Sequence, residues 1–240
     1  MHSVKQAVIM AAGLGNRLRP LTLDTPKPLI EVNGVRMIDT AIRALRANGI
    51  AEIYVVAGWL KEQFRCLEEE YPGLRLIENP WYDTCNNISS LYVARDHLED
   101  AVILEGDQII LDPAVLAPDF DRSGYGCVWS EGATRDWLIT ADENGAVTHC
   151  SPDGGSGGWR VCGVSRWTAE DGRELKSLLE QEFEKKQNRQ IFWDAIALLM
   201  HPDQFQLTVR PLDAGGIIEI DNLTELAAVD GRYAHLAKGE

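Results

Sequence analysis

The stretch Ala7-Val8-Ile9-Met10-Ala11-Ala12-Gly13-Leu14-Gly15-Asn16-Arg17 constrains this chain more than any other. An uncharged apolar run reads as a buried parallel strand, and this one runs straight into small residues, two glycines and the arginines Arg17 and Arg19. Glycines let backbone N–H groups approach an anion closely, and nearby cations neutralise the charge that those N–H groups only partly offset. Lys27 follows between Pro26 and Pro28, whose rings limit how its backbone can move. The pattern predicts a strand feeding a phosphate loop, with a positioned lysine beside it.

The charge distribution fits a small phosphorylated ligand. Residues 1–50 carry a balance of +4, whereas the remainder carries −18, for a net −14 over 240 residues. A chain this acidic offers no basic face to a nucleic-acid backbone, yet it keeps a basic excess around the glycine loop. No apolar run approaches the roughly 18 residues that span a bilayer, so no membrane partner is expected and a cytoplasmic location is. The five cysteines are scattered without a CxxC pair, which predicts neither a disulfide framework nor a zinc site. A composition 45% hydrophobic supports one sizeable core, and a single domain over 1–240 is expected.

In chain order, a helix over Arg36–Asn48 ends at Gly49, a second strand covers Ile53–Ala57, a helix runs through Leu60–Tyr71, and a third strand spans Leu74–Ile77. This β-α-β-α-β alternation predicts an α/β fold, a doubly wound and mostly parallel sheet that binds ligands at the carboxyl ends of its strands. Asn86 and Asn87 precede a helix to about His97, where they either cap it or use their amides to read the edge of a base. The strand Ala101–Leu104 ends in Glu105-Gly106-Asp107, a common setting for a Mg²⁺ ligand. In the second half, Val128–Trp129, Trp137–Thr140, Ala146–His149 and Trp159–Trp167 read as strands, with an Asn144-Gly145 hairpin turn. The glycine-rich Ser151–Gly158 reads as a flexible connection or a lid, and Ala169–Gln187 and Ile191–Met200 read as helices. Glu219 and Asp221 alternate onto one face of the strand from Ile217, so either can join Asp107 on a metal, and Asn222 caps a last helix.

The Ala11-Ala12-Gly13-x-Gly15-x-Arg17-Leu18-x-Pro20-Leu21-Thr22 motif, with Pro26-Lys27-Pro28-Leu29 and Glu105-Gly106-Asp107, resembles the nucleotidyltransferases that activate sugar 1-phosphates and related phosphates. Leu18 stands where a dinucleotide site wants a third glycine, which argues against a dehydrogenase. Asn79-Pro80-Trp81-Tyr82, Asn86-Asn87-Ile88-x-Ser90-Leu91-Tyr92, Trp193-Asp194 and Glu219-Ile220-Asp221 look most like the bacterial choline-phosphate cytidylyltransferases. The resemblance covers nearly the whole chain.

That resemblance implies a Rossmann-like fold with a nucleotide-binding half over about 1–125 and a smaller, β-rich acceptor-binding half over about 126–240. It implies Mg²⁺-dependent transfer of CMP from CTP to phosphocholine. Ala11, Ala12, Gly13 and Gly15 would hold the CTP phosphates, Lys27 and Arg17 would act on the reacting phosphates, and Asn86 and Ser90 would lie on the cytidine side. Asp107 and Asp221 would bind Mg²⁺. Trp137, Phe192 and Trp193 would offer aromatic faces to a trimethylammonium group, with Asp194 and Glu219 supplying negative charge. A primary ammonium prefers carboxylates to rings, so phosphoethanolamine and 2-aminoethylphosphonate stay open as acceptors, as does a sugar 1-phosphate with UTP or dTTP. A homodimer is also left open.

Overall fold

The computed structural model describes residues 1–237. Its central sheet is built on β1 (Gln6–Ala11), β2 (Glu52–Ala57), β3 (Leu74–Glu78) and β4 (Ala101–Glu105), which lie side by side in the order β3-β2-β1-β4, all parallel. β1 is central because it is apolar on both faces. Val8 and Met10 pack into one core and Ala7, Ile9 and Ala11 into the other. The second core takes Ile38, Ala41, Ile42 and Leu45 from α1 (Met37–Ala47), the helical face expected from the sequence.

The second half continues the same sheet in antiparallel fashion. After β5 (Gln108–Ile110) and β6 (Gly124–Ser130) come β7 (Leu138–Ala141), β8 (Val147–Ser151) and the long β9 (Gly158–Trp167). β9 pairs with β4 and extends the sheet towards β7 and β8. β10 (Thr208–Pro211) joins β6, and β11 (Ile217–Glu219) returns antiparallel to β5. The chain is therefore α/β, with a parallel first half and a β-rich second half. A third, small core of Leu18, Ile109, Ile220, Leu223 and Leu226 ties the phosphate loop to the helix over Leu223–Val229, which Asn222 caps by accepting from Glu225 N–H.

Several local expectations are revised. The Leu60–Tyr71 segment is a 3₁₀ turn, Lys61–Phe64, followed by a short α-helix, Arg65–Glu70. The Ala169–Gln187 helix stays α only to Glu180 and closes in a π turn, Gln181–Lys185. There the buried Glu182 accepts from Lys186 Nζ at 2.7 Å and Asn188 Nδ2 at 2.5 Å, drawing the following chain inward. The helix expected from Ile191 starts late, because Trp193 N–H is given to Asn87 Oδ1 at 3.0 Å. The Ser151–Gly158 loop is fastened by paired Thr134 and Gly155 backbone bonds of 2.8 and 3.0 Å. All five cysteines are free thiols. Among the described residues no helix is long and apolar enough to cross a membrane.

Candidate active site

A cavity of about 400 Å³ opens at the carboxyl ends of β1 and β4. Ala11, Ala12, Gly13, Gly15 and Arg17 form one wall. Gly15 sits at φ +63°, and a Cβ there would come within 2.8 Å of Thr22 Cγ2, while the Thr22 hydroxyl donates to Gly15 O at 2.8 Å. Only glycine lets the loop fold back on Thr22 in this way. Lys27 begins a 3₁₀ turn, Lys27–Leu29, and is 8% exposed, so its ammonium reaches the cavity from a fixed base.

The opposite wall is acidic. The β5–β11 ladder aligns Gln108 with Glu219, and Ile220 N–H donates to Asp107 O at 3.2 Å, so Asp107 and Asp221 meet. Lys27 Nζ donates to Asp107 Oδ2 at 2.7 Å and to Asp221 Oδ1 at 3.3 Å, and Arg17 Nη2 donates to the same Asp221 oxygen at 2.6 Å. Asp107, Glu219 and Asp221 each place a carboxylate oxygen within 4.8 Å of the others. Asp107 Oδ1 is buried and has no partner among the described residues. An orphaned carboxylate oxygen in an all-oxygen set suits a hard divalent cation, which makes Asp107 and Asp221 fit holders for one.

On the far side lies the turn before the helix over Ile88–Val93. The buried Asn79 gives its amide to Ser89 Oγ and Ser90 Oγ at 3.0 and 3.1 Å and accepts Trp81 N–H, which leaves Ser90 and Asn86 lining the cavity. Neither Asn86 nor Asn87 caps the helix with its side chain. Instead both hold the strap 186–193: Asn86 N–H donates to Arg189 O at 2.8 Å, Asn86 Nδ2 donates to Gln190 O at 3.1 Å, and Asn87 Oδ1 takes Trp193 N–H.

That strap carries Phe192 and Trp193, and Asp194 follows it directly. Phe192 is 50% exposed and meets Trp137 edge-on, ring centres 6.0 Å apart. Trp193 differs: 3% exposed, it stacks on Tyr125 and meets Trp167, each at 6.1 Å, and turns its indole N–H rather than an open ring face towards Glu105. Asp194 keeps partial access to solvent yet is surrounded by protein, and burial pushes its carboxyl up to about 7. Burial, with Asp107 and Asp221 nearby, also raises Glu219 to about 7. Glu105 is pushed well above the carboxylate range, first by burial and then by Asp107, Asp194 and Glu219.

The structure thus gathers Ala11, Ala12, Gly13, Gly15, Arg17, Lys27, Asn86, Ser90, Asp107 and Asp221 around one cavity. Glu219 adjoins it through the acidic cluster, while Trp137, Phe192, Trp193 and Asp194 belong to the neighbouring side. Asn79, Glu105 and Tyr125 were not among the candidates. The first two stand inside motifs visible in the sequence, and Tyr125 has no local signal.

Residues 7–154 match the model of the MobA-like NTP transferase domain. The chain is 42% identical to the 2-aminoethylphosphonate cytidylyltransferase of Lancefieldella rimae, over 97% of this chain and 94% of that protein. It is 32% identical to the choline-phosphate cytidylyltransferase of Streptococcus pneumoniae, over 92% and 94%. The solved CTP:phosphocholine cytidylyltransferase from Streptococcus pneumoniae superposes with a TM-score of 0.88, at 32% identity, covering 96% of this chain and 99% of that one.

Proposed function

The chain belongs to the MobA-like NTP transferase domain family, and we propose that it transfers CMP from CTP to 2-aminoethylphosphonate with release of pyrophosphate. The observation that carries this acceptor is the concentration of carboxylates, Glu105, Asp194 and Glu219, on the side where aromatic faces were expected. One ring of the expected cage, Trp193, is core and presents an N–H. A primary ammonium seeks hydrogen-bond acceptors, and its charge would draw these raised carboxyls back to their ionised form. The 42% identical relative with a 2-aminoethylphosphonate name points the same way.

An ionised phosphonate oxygen attacks the α-phosphorus of CTP, a P–O bond forms, and the bond from that phosphorus to the bridging oxygen of the pyrophosphate breaks. The attacking oxygen carries no proton, so no general base is required. Two anions must meet, and the task of the protein is to position them and offset their charge. In this reading the Ala11–Gly15 backbone cradles the triphosphate, Lys27 and Arg17 supply positive charge, and Asn86 and Ser90 face the cytidine. Asp107 and Asp221 hold a divalent cation, Mg²⁺ by its hard oxygen ligands, which when bound neutralises phosphate charge. Trp137, Phe192, Trp193, Asp194 and Glu219 surround the acceptor.

Phosphocholine is the second reading, favoured by the Trp137–Phe192 ring pair and by the Streptococcus pneumoniae relative. Pyrophosphate release across the four nucleoside triphosphates and three acceptors, 2-aminoethylphosphonate, phosphoethanolamine and phosphocholine, tests both. Turnover with CTP that is highest on 2-aminoethylphosphonate supports the first reading; a preference for phosphocholine replaces it with the second.

A further inference from the structure

The glycine loop keeps its N–H groups unspent. Those of Gly13, Leu14, Gly15, Asn16 and Arg17 have no acceptor among the described residues, and all of these but Leu14 line the cavity. Carbonyls along the same stretch are held by donors. Ala12 O accepts the Trp59 backbone N–H at 3.0 Å, Gly15 O accepts the Thr22 hydroxyl at 2.8 Å, and Thr22 O accepts the Trp59 indole N–H at 2.8 Å. Neither Trp59 nor Thr22 lines the cavity. In a planar trans peptide the C=O and the next N–H point in opposite directions. A donor that draws Ala12 O or Gly15 O to itself therefore fixes where the N–H of Gly13 or Asn16 is aimed.

Both Trp59 donors come from one constrained turn after β2. A Cβ on Gly58 would lie 2.8 Å from Ala12 O and 2.5 Å from Tyr82 Cβ, so the turn is pressed against the loop. Leu60 is held at φ +50°, a left-handed conformation that a leucine seldom adopts. Such strain persists where surrounding contacts over-determine it. The Trp59 ring belongs to none of the three apolar cores, so packing does not account for its place. Its two N–H groups do.

We infer that Trp59 is a positioning residue for the triphosphate: its indole N–H, acting through Thr22 and the Gly15 carbonyl, keeps the Asn16 N–H aimed at phosphate oxygen. Trp59 touches no ligand in this arrangement. It acts by denying the loop the alternative peptide orientation, in which a carbonyl would meet the anion.

This rests on the reading of the loop as the triphosphate cradle, and the test separates the two. Trp59→Phe keeps a ring and removes only the indole donor. Loss of one hydrogen bond predicts that the CTP KM and the inhibition constant of tripolyphosphate against CTP both rise at least about threefold. The inhibition constant of cytidine and the acceptor KM should move less than about twofold, since neither ligand reaches the loop. Unchanged tripolyphosphate inhibition overturns the role of Trp59 and leaves the cradle standing. Equal losses for tripolyphosphate, cytidine and acceptor also overturn it, because they mark general loosening. A wild-type enzyme that tripolyphosphate does not inhibit overturns the cradle, and this inference with it. A second measurement needs no variant. Coupling is reciprocal, so a bond that favours phosphate binding is strengthened by it. In the wild-type protein, saturating tripolyphosphate should slow hydrogen exchange of the Trp59 indole N–H, assigned by NMR through its contact with Thr22, at least about threefold. Exchange that does not slow is equally fatal.

Discussion

Lys27 Nζ donates to Asp107 Oδ2 at 2.7 Å, joining residues 80 positions apart. The cation of the phosphate loop and the carboxylate at the end of β4 are counter-ions before any ligand arrives. Replacing Lys27 with Ala leaves Asp107 without its partner and, in the proposed reading, removes charge from the reacting phosphates. We expect kcat to fall about 10²–10³-fold, the range seen when one preorganised transition-state donor is lost. In the proposed reading the loop N–H groups hold CTP, so its affinity should loosen by less than about tenfold. Steady-state rates and a CTP titration separate the two numbers, and an unaltered kcat removes Lys27 from the chemistry.

Because Lys27 and Arg17 hold Asp107 Oδ2 and Asp221 Oδ1, a free divalent ion must compete with them for one oxygen of each carboxylate. Triphosphate offers both cations another partner. Mg²⁺ alone should therefore raise the melting temperature little, and Mg²⁺ with CTP much more than the separate shifts combined. Asp221→Asn should abolish that synergy. Thermal melts at matched ligand concentrations check it, and simple additivity would refute it.

Asp194 titrates at about 7 in the folded protein against an ordinary 3.8. Between those values the folded chain binds a proton that the unfolded chain has lost, so this residue makes stability fall as pH rises through that window. Asp194→Asn should therefore melt about 2–4 °C higher than wild type near pH 8 and no differently near pH 4. Acceptor binding should run the other way. An ionised Asp194 attracts the ammonium, so KM for the acceptor should drop between about pH 6 and 8 in wild type and stay flat in the variant.

Asn87 Oδ1 holds the Trp193 backbone N–H at 3.0 Å and so ties the strap 186–193 to the turn beside the cavity. Asn87→Ala leaves that N–H without its acceptor, at a cost of about 1–3 kcal/mol. We expect acceptor KM to rise more steeply than CTP KM, a split that initial-rate measurements resolve. Equal rises would refute a preferential link between this amide and the acceptor.

Much of the sheet, and the residues of the loop that line the cavity, were legible before the structure. β1, β2 and β4 announce themselves as uncharged apolar runs, and the loop residues, Lys27 and Asp107 follow them directly in sequence, where short-range chemistry is readable. Trp193 was harder to read: a tryptophan count says nothing about whether a ring offers its face or its edge, and packing between Tyr125 and Trp167 decides that. The π turn at Gln181–Lys185 was invisible because its cause, the partners gathered by Glu182, depends on tertiary placement. In the Ser151–Gly158 loop the backbone pairing of Gly155 with Thr134 was equally invisible, because it joins segments well separated in the sequence.

The pairing of β5 with β11 has one more consequence, which concerns the order in which the chain is made. Lys27 meets Asp107 and then Asp221 across separations of 80 and 194 residues. A nascent chain emerging from the ribosome carries the whole phosphate loop early. Until Asp221 has emerged and the Gln108–Glu219 register has formed, it lacks the second carboxylate. A proteolytic fragment ending before that point should be equally inert. On the proposed role of Asp221, competence to activate a nucleotide waits for the β5–β11 ladder to close.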